Sequence, residues 1–183
     1  MKKLSVKTIV AIGIGAALFF VLGRFVAIPS PIPDTNITTQ YGLLAFIAAV
    51  FGPIAGLFAG LIGHFFIDFS YGWGVWWSWV IASGVFGLLM GIISRKLRVD
   101  EGEFSGKDIA FFNLEQFIAH IISWVIVAPV LDILIYSEPV NKVFTQGLVS
   151  AVSNSITTGI IGTLLCLAYA KAIPKKGSLK EED

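Results

Sequence analysis

The stretch Val75 to Arg98, VWWSWVIASGVFGLLMGIISRKLR, decides the fold class. From Val75 to Ser94 it supplies the run of about 20 mainly apolar residues that a helix needs to cross the hydrocarbon core, and it then enters Arg95, Lys96 and Arg98. Basic residues are retained on the cytoplasmic side of short loops, so this reads as a transmembrane helix leaving the bilayer inward. Working outward, eleven of the thirteen Lys and Arg residues fall in three such patches: Lys2, Lys3 and Lys7; Arg95, Lys96, Arg98 and Lys107; and Lys171, Lys175, Lys176 and Lys180. The three patches should share one side, with an even number of crossings between each pair. Only Arg24 and Lys142 break the pattern, which marks both for a role other than topology.

Six spans fit these constraints, at about 6–28, 37–51, 54–69, 75–94, 109–136 and 143–173, and they make the whole chain, 1–183, one membrane domain. The expected fold class is an all-α integral membrane protein with both termini cytoplasmic. The first span, Val6 to Ile28, ends at Pro29-Ser30-Pro31-Ile32-Pro33, where missing N–H donors and a fixed φ stop a helix. It is too long for the apolar region of a secretory signal, and no small-residue cleavage site follows it. Asp34, Thr35 and Asn36 then form a polar loop on the far side. The second span stops at Gly52-Pro53. The third carries Gly56, Gly60 and Gly63 about every four residues, so that a neighbouring helix can approach closely. Five or seven crossings would place the terminal lysines on opposite sides, and four would require the second and third segments to form a re-entrant hairpin.

Composition narrows the classes. A hydrophobic fraction of 56%, charged residues at 14% and a mean hydropathy of +0.83 leave no room for a large soluble domain. No basic face exists for nucleic acid. One cysteine, Cys166, excludes an intramolecular disulfide and a cysteine-cluster metal site. No cofactor or metal is implied.

Polar residues inside a bilayer are costly and usually line a cavity or pair with one another, so their depth matters. With the orientation above, Arg24, His64, Asp68, Trp76, Trp79, Ser83, His120, Trp124, Asp132, Gln146, Ser150, Ser153 and Asn154 occupy the outer half or the middle of their spans. The inner half holds chiefly Asn113, Glu115 and Gln116. One-sided polarity points to a cavity open to the outside, not to a channel lined from face to face. His64 and Asp68, four residues apart, either pair on one helix face or form an interfacial hydrogen bond. Four of the five tryptophans lie between Trp73 and Trp79, as an aromatic belt or as a stacking surface for a planar ligand. Gln146, Ser150 and Asn154 share a face of the sixth helix, leaving helix–helix contact or ligand contact as their options. On the first helix, the small-residue pairs Ala11/Gly15 and Gly13/Ala17 serve either internal packing or docking of another subunit.

The ordered combination resembles the substrate-binding S components of energy-coupling factor (ECF) transporters, and is most similar to small S-component-like proteins of Gram-positive bacteria. The resemblance rests on the Lys-rich start, the first helix Ala11-Ile12-Gly13-Ile14-Gly15-Ala16-Ala17-Leu18-Phe19-Phe20-Val21-Leu22, the proline loop Ile28 to Pro33, the segment Phe51-Gly52-Pro53-Ile54-Ala55-Gly56, and six spans. It implies a non-enzymatic subunit of the cell membrane that captures a vitamin-like substrate outside, while a transmembrane T component and two ATPase subunits drive import. Carried onto this chain, the ligand contacts would be the loop Asp34 to Gln40, including Asn36 and Gln40, with Trp76, Trp79, His120, Trp124, Gln146, Ser150 and Asn154. The T component would dock on the first helix, where the family has Ala-xxx-Ala and this chain offers Ala11, Gly13, Gly15 and Ala17. Aromatics with neutral amides suit a planar, largely uncharged heterocycle such as a pyrimidine thiamin precursor or riboflavin. A membrane-embedded enzyme using His64, Asp68 and His120, or a stand-alone carrier, are the alternatives; the His spacings of known metal motifs are missing.

Overall fold

A computed structural model of the protein describes residues 4–72 and 74–173. Trp73 and the terminal basic residues Lys2, Lys3, Lys175, Lys176 and Lys180 lie outside the described residues. The described residues form an all-α integral membrane protein of six apolar spans, five of them long enough to cross a membrane and the sixth, Gln40–Phe51, shorter. Helix α1 (Val6–Phe25) starts at Ser5, whose hydroxyl accepts the Thr8 N–H and so satisfies one of the free donors of the first turn. It ends three residues before the expected boundary. Ile28–Pro29 instead pairs antiparallel with Asn36–Ile37, turning the proline loop into a short hairpin. Helix α2 (Gln40–Phe51) follows after it and stops at Gly52, whose φ of 89° no side-chain-bearing residue adopts cheaply. Pro53 then opens α3 (Pro53–Tyr71), where its missing N–H costs nothing.

Helix α2 has 12 residues, about 18 Å of rise, and is sheathed by α1, α3, α4 and α7. The other crossings are longer: α4 (Trp77–Ile93), which runs on to Lys96 through a tighter turn; a continuous rod, Gly106–Tyr136; and α7 (Val140–Ala172). Within the rod, α5 (Gly106–His120) leads through a wide π stretch, Ile121–Val127, into α6 (Ala128–Tyr136). Pro129 explains the widening. It has no N–H for the carbonyl one turn earlier, and the Ala128 N–H reaches back to the Ser123 carbonyl, five residues away.

The glycines of α3 find their partner in α4. A Cβ on Gly56 would overlap the Gly87 carbonyl, and one on Gly60 would lie 2.6 Å from the Ser83 carbonyl oxygen, so the two backbones touch. Gly63 faces α1 instead, against Phe19 and Ala16. The outward faces of α1 and α7 carry Val10, Ile14, Leu18, Leu148, Val152 and Ile156, all exposed, as helices bathed in lipid require.

A one-ended cavity walled by tryptophans

The hairpin, the turn before α4, the end of α6 and the start of α7 meet at the end of the bundle opposite Arg95–Lys107. Between them lies a cavity of about 320 Å³, within the size range of small-molecule sites. Its walls include Trp76, Trp79, Trp124, Tyr41 and Tyr71, together with the amides Gln40, Gln146 and Asn154.

One carboxylate sets the tryptophans. Asp132, fully buried on α6, accepts the indole N–H of Trp76 at 2.6 Å and that of Trp79 at 2.8 Å, and also the Ser78 hydroxyl. A buried charge is tolerable only when donors surround it, and here three do. Asp68 at the end of α3 accepts the Trp76 backbone N–H at 2.9 Å. Trp76 stacks on Tyr136 with ring centroids 4.3 Å apart, and Trp79 stacks on Trp124 at 5.3 Å.

The floor is built from Trp124, positioned by the π stretch. Its indole N–H donates to His120 Nδ1 at 2.8 Å, which leaves the proton of a neutral imidazole on Nε2, bonded to Thr158 at 3.0 Å. Gly147 of α7 allows this, since a Cβ there would overlap the Trp124 carbonyl. A second polar chain leaves the cavity wall: His64 Nε2 is 3.5 Å from Asp68, His64 Nδ1 is 2.5 Å from the Ser83 hydroxyl, and Ser83 meets Tyr41 at 2.9 Å.

The hairpin is tied to α7 like a strap. Gln146 donates to the Pro33 carbonyl at 3.0 Å, Thr38 to Asn154 Oδ1 at 3.0 Å, and Thr157 to the Thr38 carbonyl at 2.7 Å. Ser150, between the two amides, has no hydrogen-bond partner for its hydroxyl among the described residues and lines the cavity. At the rim, Lys142 is paired with Glu138 at 3.0 Å. Arg24 lays its guanidinium on the Tyr71 ring, 4.2 Å from the centroid.

Of the nine residues expected to contact ligand, Asn36, Gln40, Trp76, Trp79, Trp124, Gln146, Ser150 and Asn154 line this cavity. His120 does not: it sits behind Trp124 with no exposed surface and acts on the cavity through that indole. Asp34, Thr35 and Thr38 of the expected loop Asp34 to Gln40 line it too, and Asp132 and Tyr41 join the wall without having been expected as contacts, although an acid within a membrane span is itself a signal. On α1 the two candidate registers separate. Ala11 and Gly15 are buried, and a Cβ at Gly15 would lie 2.7 Å from Ile47 and 3.2 Å from Ala59 within the bundle. Gly13 and Ala17 point outward, and nothing lies within 4 Å of a Cβ at Gly13. His64 and Asp68 meet, but His120 is not with them, and the described residues contain no group of three metal-ligating side chains.

A helical membrane protein with a single-ended, aromatic-walled cavity is a binding protein embedded in the bilayer. Residues 3–171 match the family described as ECF-type riboflavin transporter, S component, and the chain belongs to that family. S components are the substrate-binding subunits of ECF transporters in the plasma membrane; they associate with a T component and ATPases and are not an enzyme family. The chain is 58% identical to the UPF0397 protein of Staphylococcus aureus strain Newman and 59% identical to that of strain MRSA252, over the full length of both partners. Its fold is similar to the crystal structure of the S component for biotin from an ECF-type ABC transporter, with a TM-score of 0.60 at 17% identity, covering 88% of this chain and 89% of the other.

Proposed function

We propose that the cavity captures a planar heterocycle of vitamin type, such as a hydroxymethylpyrimidine thiamin precursor or riboflavin, on the extracellular side, for import by a T component and two ATPases. The observation that carries this reading is the arrangement of Trp76, Trp79 and Trp124 around one cavity, two of them locked by the Asp132 carboxylate. Rigid indole faces bind flat rings at low entropic cost. The family description, with its riboflavin transporter, agrees with a flat ring as cargo. The basic residues Arg95, Lys96 and Arg98 at the opposite end favour an outward-facing mouth. On α1, the exposed Gly13 and Ala17 form the small-residue surface against which the T component would pack.

Gentle purification followed by mass spectrometry of the retained small molecule tests the capture reading. A planar heterocycle released in one-to-one ratio supports it; turnover of a substrate by the isolated chain, or a retained lipid or aliphatic molecule, overturns it. Co-purification with a T component and two ATPases tests the assembly separately.

A further inference from the structure

We infer that the cavity selects a positively charged or amine-bearing ring over an anionic ring of the same shape. This deepens the capture reading above and rests on it. Among the described residues that line the cavity are four carboxylates, those of Asp34, Asp68, Asp132 and Glu138, against the one ammonium of Lys142. That ammonium is already held by Glu138 at 3.0 Å. Arg24, which is not in the lining, is engaged with the face of Tyr71, which is. Even with Arg24 and His64 both counted as cations, the carboxylates outnumber them. The sum is negative in a cleft walled by protein and lipid, where low dielectric focuses the field.

The uncharged lining points the same way. Indole faces carry the negative side of their quadrupole toward a ligand stacked on them, and they attract cations. Gln40 lines the cavity at 4% exposure, and its Oε1 is a buried acceptor with no hydrogen-bond partner among the described residues. That atom has no accessible surface and so does not itself meet the ligand, but a carboxylate or phosphate would add acceptors to a cavity that already holds four carboxylates. The tryptophans and amides alone suggest an uncharged ligand. The acids come from the hairpin, α3, α6 and the turn after α6, and only the fold gathers them.

The test reads the charge preference at the cavity tryptophans. The chain has five tryptophans, and in a Trp73→Phe/Trp77→Phe variant the remaining three all line the cavity. In nanodiscs of neutral lipid, its fluorescence is quenched by three forms of one ring: N-methylnicotinamide as cation, nicotinamide as neutral and nicotinate as anion. Each is normalised to its quenching of free N-acetyltryptophanamide. The expected result is saturable quenching about tenfold stronger for the cation than for the anion, at the low end of focusing by a charged cleft. Asp34→Asn/Asp68→Asn should bring that ratio toward one. Equal quenching, or quenching favouring the anion, overturns the charge selection and leaves ring capture standing. Failure of all three rings while acrylamide still quenches shows a cavity closed to planar rings, and both readings fall.

Discussion

Asp132 on α6 accepts the indole N–H of Trp76 at the entry to α4, a 2.6 Å bond across 56 positions of sequence. Because the same carboxylate also holds Trp79, one side chain fixes the spacing of two ring faces in the cavity wall. Replacing it with alanine strands two indole N–H groups and a hydroxyl, each costing about 1–3 kcal/mol when left unpaired in a buried site. Asp132→Ala should therefore lower the thermal midpoint and weaken ligand binding at least tenfold, while Asp132→Asn, which keeps one acceptor, should lose less of both. Titration of the retained ligand against each purified variant decides it: wild-type affinity in Asp132→Ala would mean that the indoles are held by packing alone.

The α3–α4 seam makes a prediction about folding and not about binding. Gly56 and Gly87 pack backbone to backbone, so Gly87→Leu has no room without parting the helices. Overpacking of a tight contact costs about 1–3 kcal/mol for small additions and more where backbone blocks the way. The variant should accumulate poorly in membranes and migrate as aggregate on size exclusion. Gly13→Leu adds the same atoms where nothing lies within 4 Å, and should elute as wild type.

Docking on α1 can be read from a pair of tryptophan substitutions. Gly13 and Ala17 face outward, whereas Ala11 and Gly15 pack inside the bundle. Gly13→Trp should abolish uptake by the assembled transporter and leave ligand binding by the isolated chain intact. Gly15→Trp should fail earlier, at folding. Undiminished uptake in both Gly13→Trp and Ala17→Trp would remove this face from the interface.

How much of this could be read without coordinates differs from residue to residue. The apolar run ending in Arg95 shows its helix directly, because hydropathy and charge are local properties of the chain. The choice between Ala11/Gly15 and Gly13/Ala17 was not local. Positions two apart lie about 200° around a helix, so one pair must face in when the other faces out, and only packing against Ile47 and Ala59 says which. Trp76, Trp79 and Asp132 are each visible as intramembrane polar side chains, but Asp132 as the organiser of the two tryptophans is not, since its donors lie more than 50 residues away. The same limit applies to His120. The family resemblance makes it a ligand contact beside Trp124, and the structure shows instead a direct bond between the two. The π stretch is not legible in the sequence, because Pro129 in a long apolar run announces a disturbance without saying how the backbone absorbs it.

The strap over the cavity gives the last prediction, which concerns rate. Gln146 and Thr157 bond to the backbone carbonyls of Pro33 and Thr38, so they hold the hairpin through contacts that survive any change of its side chains. Each such bond contributes about 0.5–1.5 kcal/mol net, and the double variant Gln146→Ala/Thr157→Val removes both without touching an indole. Opening of the hairpin should become easier by the sum of the two, which raises ligand dissociation roughly tenfold. Association changes much less, because affinity differences among variants of one site fall mainly on the off-rate. Stopped-flow tryptophan fluorescence after dilution of the loaded protein measures the step directly. A slower association with dissociation unchanged would show that the strap shapes the entrance and does not retain the ligand.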